Sequence, residues 1–278
     1  MSQDRYSSPA FQRLGEDGAR MSDGEAEMAS IEGAGPARPY DPARPLFSLH
    51  VPKAAGSSFR SDLEGWFGAE HMAFHYRGDQ GEPPARAQLA PGLCVHGHFN
   101  RLRGIGVRQY YPDADQFIVM LRDPFDRFVS TWRYLHFQIR SGVAAPAFAD
   151  APDLETWLDR RRAAELAEDP FSFLAQLADP TDPLEPAAVF GPQYLAVGVS
   201  ERYAQSVELF AAVLGRAPPA QVTRLNRASD PHRAGDPAED RPDLREVYAR
   251  AFPLEYAVYD AAVARLEAGR RAIGLEGL

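Results

Sequence analysis

Two short segments of this chain carry cations, hydroxyls and small residues at the spacing of an anion-binding turn. The first is apolar from Leu46 to Val51 and continues Pro52, Lys53, Ala54, Ala55, Gly56, Ser57, Ser58. The second, roughly 70 residues on, is apolar from Phe117 to Leu121 and continues Arg122, Asp123, Pro124, with Arg127 and Ser130 beyond. Small residues let a backbone turn tightly and expose consecutive N–H groups, and a helix beginning there adds partial positive charge. Lys53 supplies a full charge, and Ser57 and Ser58 supply hydroxyl donors. Arg122 leaves the C-terminal end of a buried strand, where open α/β sheets bind their ligands. Ser130, two turns into the next helix, can turn its hydroxyl toward the same anion. Two such cradles point to a ligand with phosphate groups at both ends.

Each segment has a competing reading. Lys53 before Gly56 reverses the order of a Walker A loop, so Mg²⁺-nucleotide chemistry has little support. Taken alone, the first segment also fits a plain strand-to-helix turn with a surface lysine. Residues 119–123 end in an acid as a Walker B strand does, but the first loop does not support that reading. Arg127 fits a phosphate contact or an ion pair with Asp123 or Asp126. His96 and His98 flank Gly97, and alternate residues of a strand share one face. Two histidines without a third ligand nearby make a weak metal site.

The elements that must position these residues alternate between strand and helix. Strands are predicted at Leu46–Val51, Gly92–His98, Phe117–Leu121 and Leu195–Val199. Helices are predicted at Ser57–Phe67, Pro124–Arg140, Leu154–Leu166, Ser200–Leu214, Asp243–Ala251 and Leu254–Arg271. Pro124 suits a first helical position with Asp123 as N-cap. Phe125, Phe128, Val129, Trp132 and Ile139 form one apolar stripe of that helix. Ser200 is expected to cap the helix that ends at Gly215, and Pro253 to separate the last two. Such alternation implies an α/β fold, a central mostly parallel sheet flanked by helices.

The chain has 278 residues, a formal net charge of −9 and one cysteine, Cys94. The charge argues against nucleic acid as a partner. One cysteine excludes an internal disulfide and a cysteine-based metal centre. No apolar run approaches a membrane span, no signal-peptide pattern opens the sequence, and a cytoplasmic location is expected. Residues 1–40 are expected to be a disordered acidic tail, and residues 41–278 a single domain.

Together these motifs resemble the sulfotransferases that use 3′-phosphoadenosine 5′-phosphosulfate (PAPS), most of all the carbohydrate O-sulfotransferase branch that includes the heparan-sulfate and uronyl enzymes and their bacterial relatives. In that family a Pro-Lys-Thr-x-Gly/Ser-Thr-Ser-like loop holds the 5′-phosphosulfate, and Lys53, Gly56, Ser57 and Ser58 match it. An Arg-Asp-Pro-x-x-Arg-x-x-Ser motif holds the 3′-phosphate, and Arg122 and Ser130 match that. Residues 95–99, 197–203 and 255–259 extend the likeness to roughly residues 46–266. Ala54 departs from it, standing where the family has a hydroxyl residue, although its backbone N–H remains.

The resemblance implies a P-loop-NTPase-like sulfotransferase fold and PAPS bound by Lys53, Ala54, Ala55, Gly56, Ser57, Ser58, Arg122 and Ser130, with no metal required. It implies His98 as general base, His96 orienting it or touching the acceptor, and Lys53 stabilising charge between sulfur and the 5′-phosphate. The acceptor would be a hydroxyl of a carbohydrate or another small molecule, chosen by residues 142–192. The alternatives are a P-loop-type kinase and a non-catalytic nucleotide- or glycan-binding relative. Among the other cations, Arg101, Arg103 and Arg108 read as a solvated loop face placed where an acidic acceptor would approach. Arg160, Arg161 and Arg162 read as helix surface, and one of Arg224, Arg227 and Arg233 as a further 3′-phosphate contact. Trp132, Tyr134 and Phe137 read as core or rim packing.

Overall fold

Short runs dense in apolar side chains form the centre of the protein. The computed structural model describes residues 38–78, 81–140, 142, 151–163, 169–178, 186–220 and 241–275. Strands β1 (Leu46–His50), β2 (Met72–His75), β3 (Cys94–Gly97), β4 (Phe117–Leu121) and β5 (Tyr194–Val199) form one sheet in the order β2-β3-β1-β4-β5. Every neighbouring pair is parallel. Every residue of β3, β4 and β5 is buried, the signature of a parallel sheet covered on both faces. The α/β architecture expected from the sequence is present.

The helices are α1 (Gly56–Phe67), α2 (Val107–Tyr110), α3 (Pro124–Arg140), α4 (Leu154–Ala163), α5 (Phe173–Gln176), α6 (Tyr203–Val213), α7 (Pro242–Ala251) and α8 (Pro253–Ala272). Helix α1 lays Phe59, Leu63 and Phe67 toward the sheet, one residue per turn. Asp123 caps α3 as expected, its Oδ1 accepting from the Asp126 N–H at 2.9 Å. Helix α6 lies so close to β5 that a Cβ on Gly198 would sit 2.6 Å from the Ser206 Cβ.

Several expectations need correction. Strand β2 has no counterpart in the predicted elements. Its residues, Met72, Ala73, Phe74 and His75, include no β-branched side chain, and it lies at the sheet edge. Ser200 opens a 3₁₀ turn, Ser200–Arg202, so α6 starts later, at Tyr203. Pro253 is the first residue of α8 rather than a spacer, which suits a residue without an N–H. Ile139 is exposed, because the buried stripe of α3 continues through Leu135 instead. The expected tail falls outside the described residues except for 38–40, as do Arg224, Arg227 and Arg233. Among the described residues no helix is long and apolar enough to cross a membrane.

A second apolar cluster joins α3, α4 and α7 through Phe125, Phe128, Trp157, Tyr248 and Phe252. Through this cluster runs a set of buried ions. Arg127 pairs with Glu255 of α8 at 2.8 Å, donates to the Phe171 carbonyl at 2.6 Å, and lies 4.2 Å from the Phe173 ring. Arg127 is therefore a structural ion, with a partner other than Asp123 or Asp126. Those two acids instead share Arg245 of α7. Arg161 also departs from its surface reading: it is buried, paired with Asp169 and bonded to the Tyr248 hydroxyl at 3.1 Å.

Candidate active site

The strand order puts β1 beside β4, so the loops leaving their C-terminal ends are neighbours. The chain leaves β1 toward β2 on one side and leaves β4 toward β5 on the other. This reversal opens a crevice where ligands bind in open α/β sheets. Arg122 bridges it, its Nη1 donating to the Lys53 carbonyl at 3.2 Å. The two cradles predicted from sequence therefore adjoin.

The first cradle is built with left-handed backbone at two non-glycine positions, Lys53 (φ 67°) and Ala55 (φ 61°). Each such residue costs about 1–2 kcal/mol and persists only where its surroundings hold it. Ala55 is the N-cap of α1, whose first turn contains no acidic residue. Ser57 is exposed and Ser58 is buried. The Lys53 Nζ lies 4.5 Å from the ring centroid of Tyr134, an exposed rim residue on α3. Ser130 is half-buried on the same helix.

Ala54 and Gly56 serve the packing beneath this turn. Ala54 is 1 % exposed and its N–H donates to the Val51 carbonyl at 3.2 Å. Its methyl group packs in the core, so a hydroxyl there would enter the core as well. Gly56 has no positive φ; its small size makes room for a side chain. A Cβ at Gly56 would come within 1.6 Å of His50 Nε2.

His50, the last residue of β1, belongs to this site without any local sequence signal that marks it. Ser48 and His50 on β1 and His96 on β3 lie on one sheet face, with Ser48 opposite His96 in the register and His98 just past the end of β3. The His50 ring stacks on His96 at 5.2 Å and lies 4.4 Å from His98. His50 Nδ1 shares a 2.9 Å hydrogen bond with the Tyr76 hydroxyl, just past β2. His96 Nδ1 shares one of the same length with Ser48 Oγ. The Nε2 atoms of His96 and His98 are buried without a hydrogen-bond partner.

All of these imidazoles are held neutral. Burial, then the charge of His98 and Arg60, takes His96 down to about 3. Burial, then Arg103 and His75, takes His98 down to about 4. His50 is pushed well below the usual imidazole value by burial, and then by His98, His96 and Lys53. Among the described residues no group of three or more His, Cys, Asp or Glu could hold a metal ion.

The remaining motif residues mostly serve as braces. Glu201 accepts from the Asp123 N–H and from the Tyr259 hydroxyl, both at 3.1 Å. The Tyr203 hydroxyl donates to Asp62 at 2.6 Å, tying α6 to α1. Arg101 donates to the Leu174 carbonyl at 3.2 Å, and Arg108 to the Pro112 carbonyl at 3.3 Å. Arg103 lies against Phe171 and within electrostatic reach of His98. A separate cleft of about 540 Å³ lies at the opposite, N-terminal edge of the sheet, lined by Phe47, Arg86, Tyr110 and Tyr111 among others. It plays no part in this site.

These residues suit an anionic ligand. Amides at a helix start, a lysine and an arginine converge on one crevice, beside buried neutral bases. No family model matches the chain, and no curated protein matches it. Among solved structures, the crystal structure of mouse sulfotransferase SULT7A1 complexed with PAP is similar at 12 % identity and a TM-score of 0.44, covering 83 % of this chain and 92 % of that one. A likeness at that level says nothing by itself about the chemistry of this chain.

Proposed function

We propose that the protein transfers a sulfuryl group from PAPS to a hydroxyl of a carbohydrate or another small acceptor, within a P-loop-NTPase-like sulfotransferase fold. The hydrogen bond from Arg122 to the Lys53 carbonyl carries this reading, because it sets two anion cradles side by side. PAPS brings an already activated sulfuryl group, so no metal is needed to generate the electrophile.

The N-terminus of α1, with Ser57, Ser58 and the backbone of residues 55–56, faces the 5′-phosphosulfate. The Ala54 N–H is already engaged within the turn and adds nothing to that contact. Arg122 and Ser130 hold the 3′-phosphate. Lys53 offers a point charge where negative charge grows on the departing phosphate. His98 takes the proton of the acceptor hydroxyl. At about 4 its basicity is low for that task, yet an anion held beside it favours the charged imidazolium and raises it. His96, bonded to Ser48, fixes the floor beneath.

Calorimetric titration with adenosine 3′,5′-bisphosphate, with and without Mg²⁺ and against ATP, tests the donor. Metal-independent binding of the bisphosphate is expected. In Arg122→Ala it weakens roughly 10- to 100-fold, the worth of a charge-assisted hydrogen bond. Preference for Mg²⁺–ATP would overturn the reading in favour of a kinase. His98→Ala is then expected to lower PAPS turnover while leaving bisphosphate affinity in place. Unchanged turnover would remove His98 from the chemistry.

A further inference from the structure

The sequence offers no reason to single out His50 or Tyr76, yet the fold joins them to each other, to the cradle and to His98. The three rings form a closed triangle: His50 to His98 at 4.4 Å, Tyr76 to His98 at 4.8 Å, and His50 to Tyr76 at 5.8 Å. Two of its members are hydrogen-bonded at 2.9 Å. The backbone of His98 is anchored by its N–H to the His75 carbonyl at 2.9 Å. Its ring rests against these two neighbours, its Nε2 buried without a hydrogen-bond partner.

The other edge of His50 occupies the notch that Gly56 leaves beneath the first turn of α1. His50 cannot retreat from that notch, with His96 stacked beside it and Tyr76 bonded to it. One side chain thus touches both the cradle and the ring at position 98. Moving it would change the distance between donor and base.

We infer that His50 and Tyr76 are a positioning pair that fixes the His98 ring at a set distance from the first cradle. This rests on the sulfotransferase reading for its chemical meaning, but the ring placement is a separate physical claim. His50 serves as a spacer and Tyr76 as its latch. Neither needs to touch the acceptor. A displacement of about 1 Å at a reacting group can cost on the order of 100-fold in rate.

A compensating double substitution gives the sharpest test. Gly56→Ala alone drives a methyl group into the His50 ring, and both the melting temperature and bisphosphate binding should fall. Adding His50→Ala opens room for that methyl, so His50→Ala/Gly56→Ala should recover both. PAPS turnover should stay about 100-fold down, because the spacer is gone. Tyr76→Phe keeps the ring and loses the latch. Its kcat should fall roughly 3- to 10-fold, in proportion to one neutral hydrogen bond, with the KM for PAPS unchanged. His50→Asn, whose amide can still meet the Tyr76 hydroxyl, should retain more turnover than His50→Ala.

Nitrogen-15 NMR of the free protein reads the positioning without any turnover. The ring resonances of His98 should shift and broaden in Tyr76→Phe and in His50→Ala. Unmoved His98 resonances, or full turnover in the double variant, would overturn the positioning pair while leaving the donor reading intact. A wild-type protein that fails to bind the bisphosphate would overturn the donor reading instead, and the NMR comparison would then decide the pair alone.

Discussion

The histidine corner at the ends of β1 to β3 and the ionic hub among α3, α4, α7 and α8 both bury polar side chains, by opposite means. In the hub each arginine is matched by a carboxylate: Arg127 with Glu255, Arg161 with Asp169, Arg245 with Asp123 and Asp126, and the arginines oppose the upward push that burial gives the Glu255 carboxyl. In the corner, burial and neighbouring cations have removed the charge, leaving neutral imidazoles with open nitrogens. Matched charges fix geometry but have little capacity left for a ligand. Neutral, incompletely bonded rings keep a lone pair or a proton to exchange. The difference separates the part that holds the second cradle in place from the part that can move a proton.

Breaking the match in the hub should give the largest effect. Glu255→Gln leaves Arg127 buried beside a neutral amide and is expected to cost about 3–5 kcal/mol, read from urea unfolding. Arg127→Met with Glu255→Leu removes both ions and should cost far less, so an equal loss in the double variant would mean that the pair itself stabilises the fold. Acid should probe the corner next. The unfolded histidines titrate near 6.5, above the folded values of about 3 and about 4 for His96 and His98. The unfolded chain therefore binds more protons in that window, and stability present above pH 6.5 is lost as pH falls toward 4. The slope approaches about 1.4 kcal/mol per pH unit for each histidine, and His98→Gln should flatten it by one such share. A slope unchanged by His98→Gln would place the acid sensitivity elsewhere.

The smallest effect concerns the cradle itself. Ala54→Ser would restore a hydroxyl at the position where the resembling family has one. Here that hydroxyl enters the core, so a cost of about 1–3 kcal/mol and no gain in bisphosphate affinity are expected. Tighter binding measured by calorimetry would show that the turn opens to bring residue 54 to the ligand.

Much of the framework could be read from the chain because its signals are local. The apolar runs of β1, β4 and β5, and the Asp123–Pro124 start of α3, each lie within a few residues. Lys53 and Arg122 were visible for the same reason, each next to a strand end. Strand β2 was not, since Met72–His75 lacks β-branched residues and gains its place only by pairing with β3. His50 was hidden more deeply. Its meaning depends on Tyr76, 26 positions away, and on a strand register that puts Ser48 opposite His96. The Glu255 partner of Arg127 and the Tyr248 partner of Arg161 were hidden likewise, because the three-dimensional packing of α3 and α4 against α7 and α8 selects them.

The left-handed backbone at Lys53 and Ala55 has a bearing on engineering. Glycine at either position would relax the turn, and a search for thermostable variants would be drawn to it. Such a gain would surrender stiffness: a lysine that must sit in an awkward conformation is locked there by its surroundings, whereas a glycine can wander. The least comfortable residues of this protein are the ones a stabilisation campaign should leave alone.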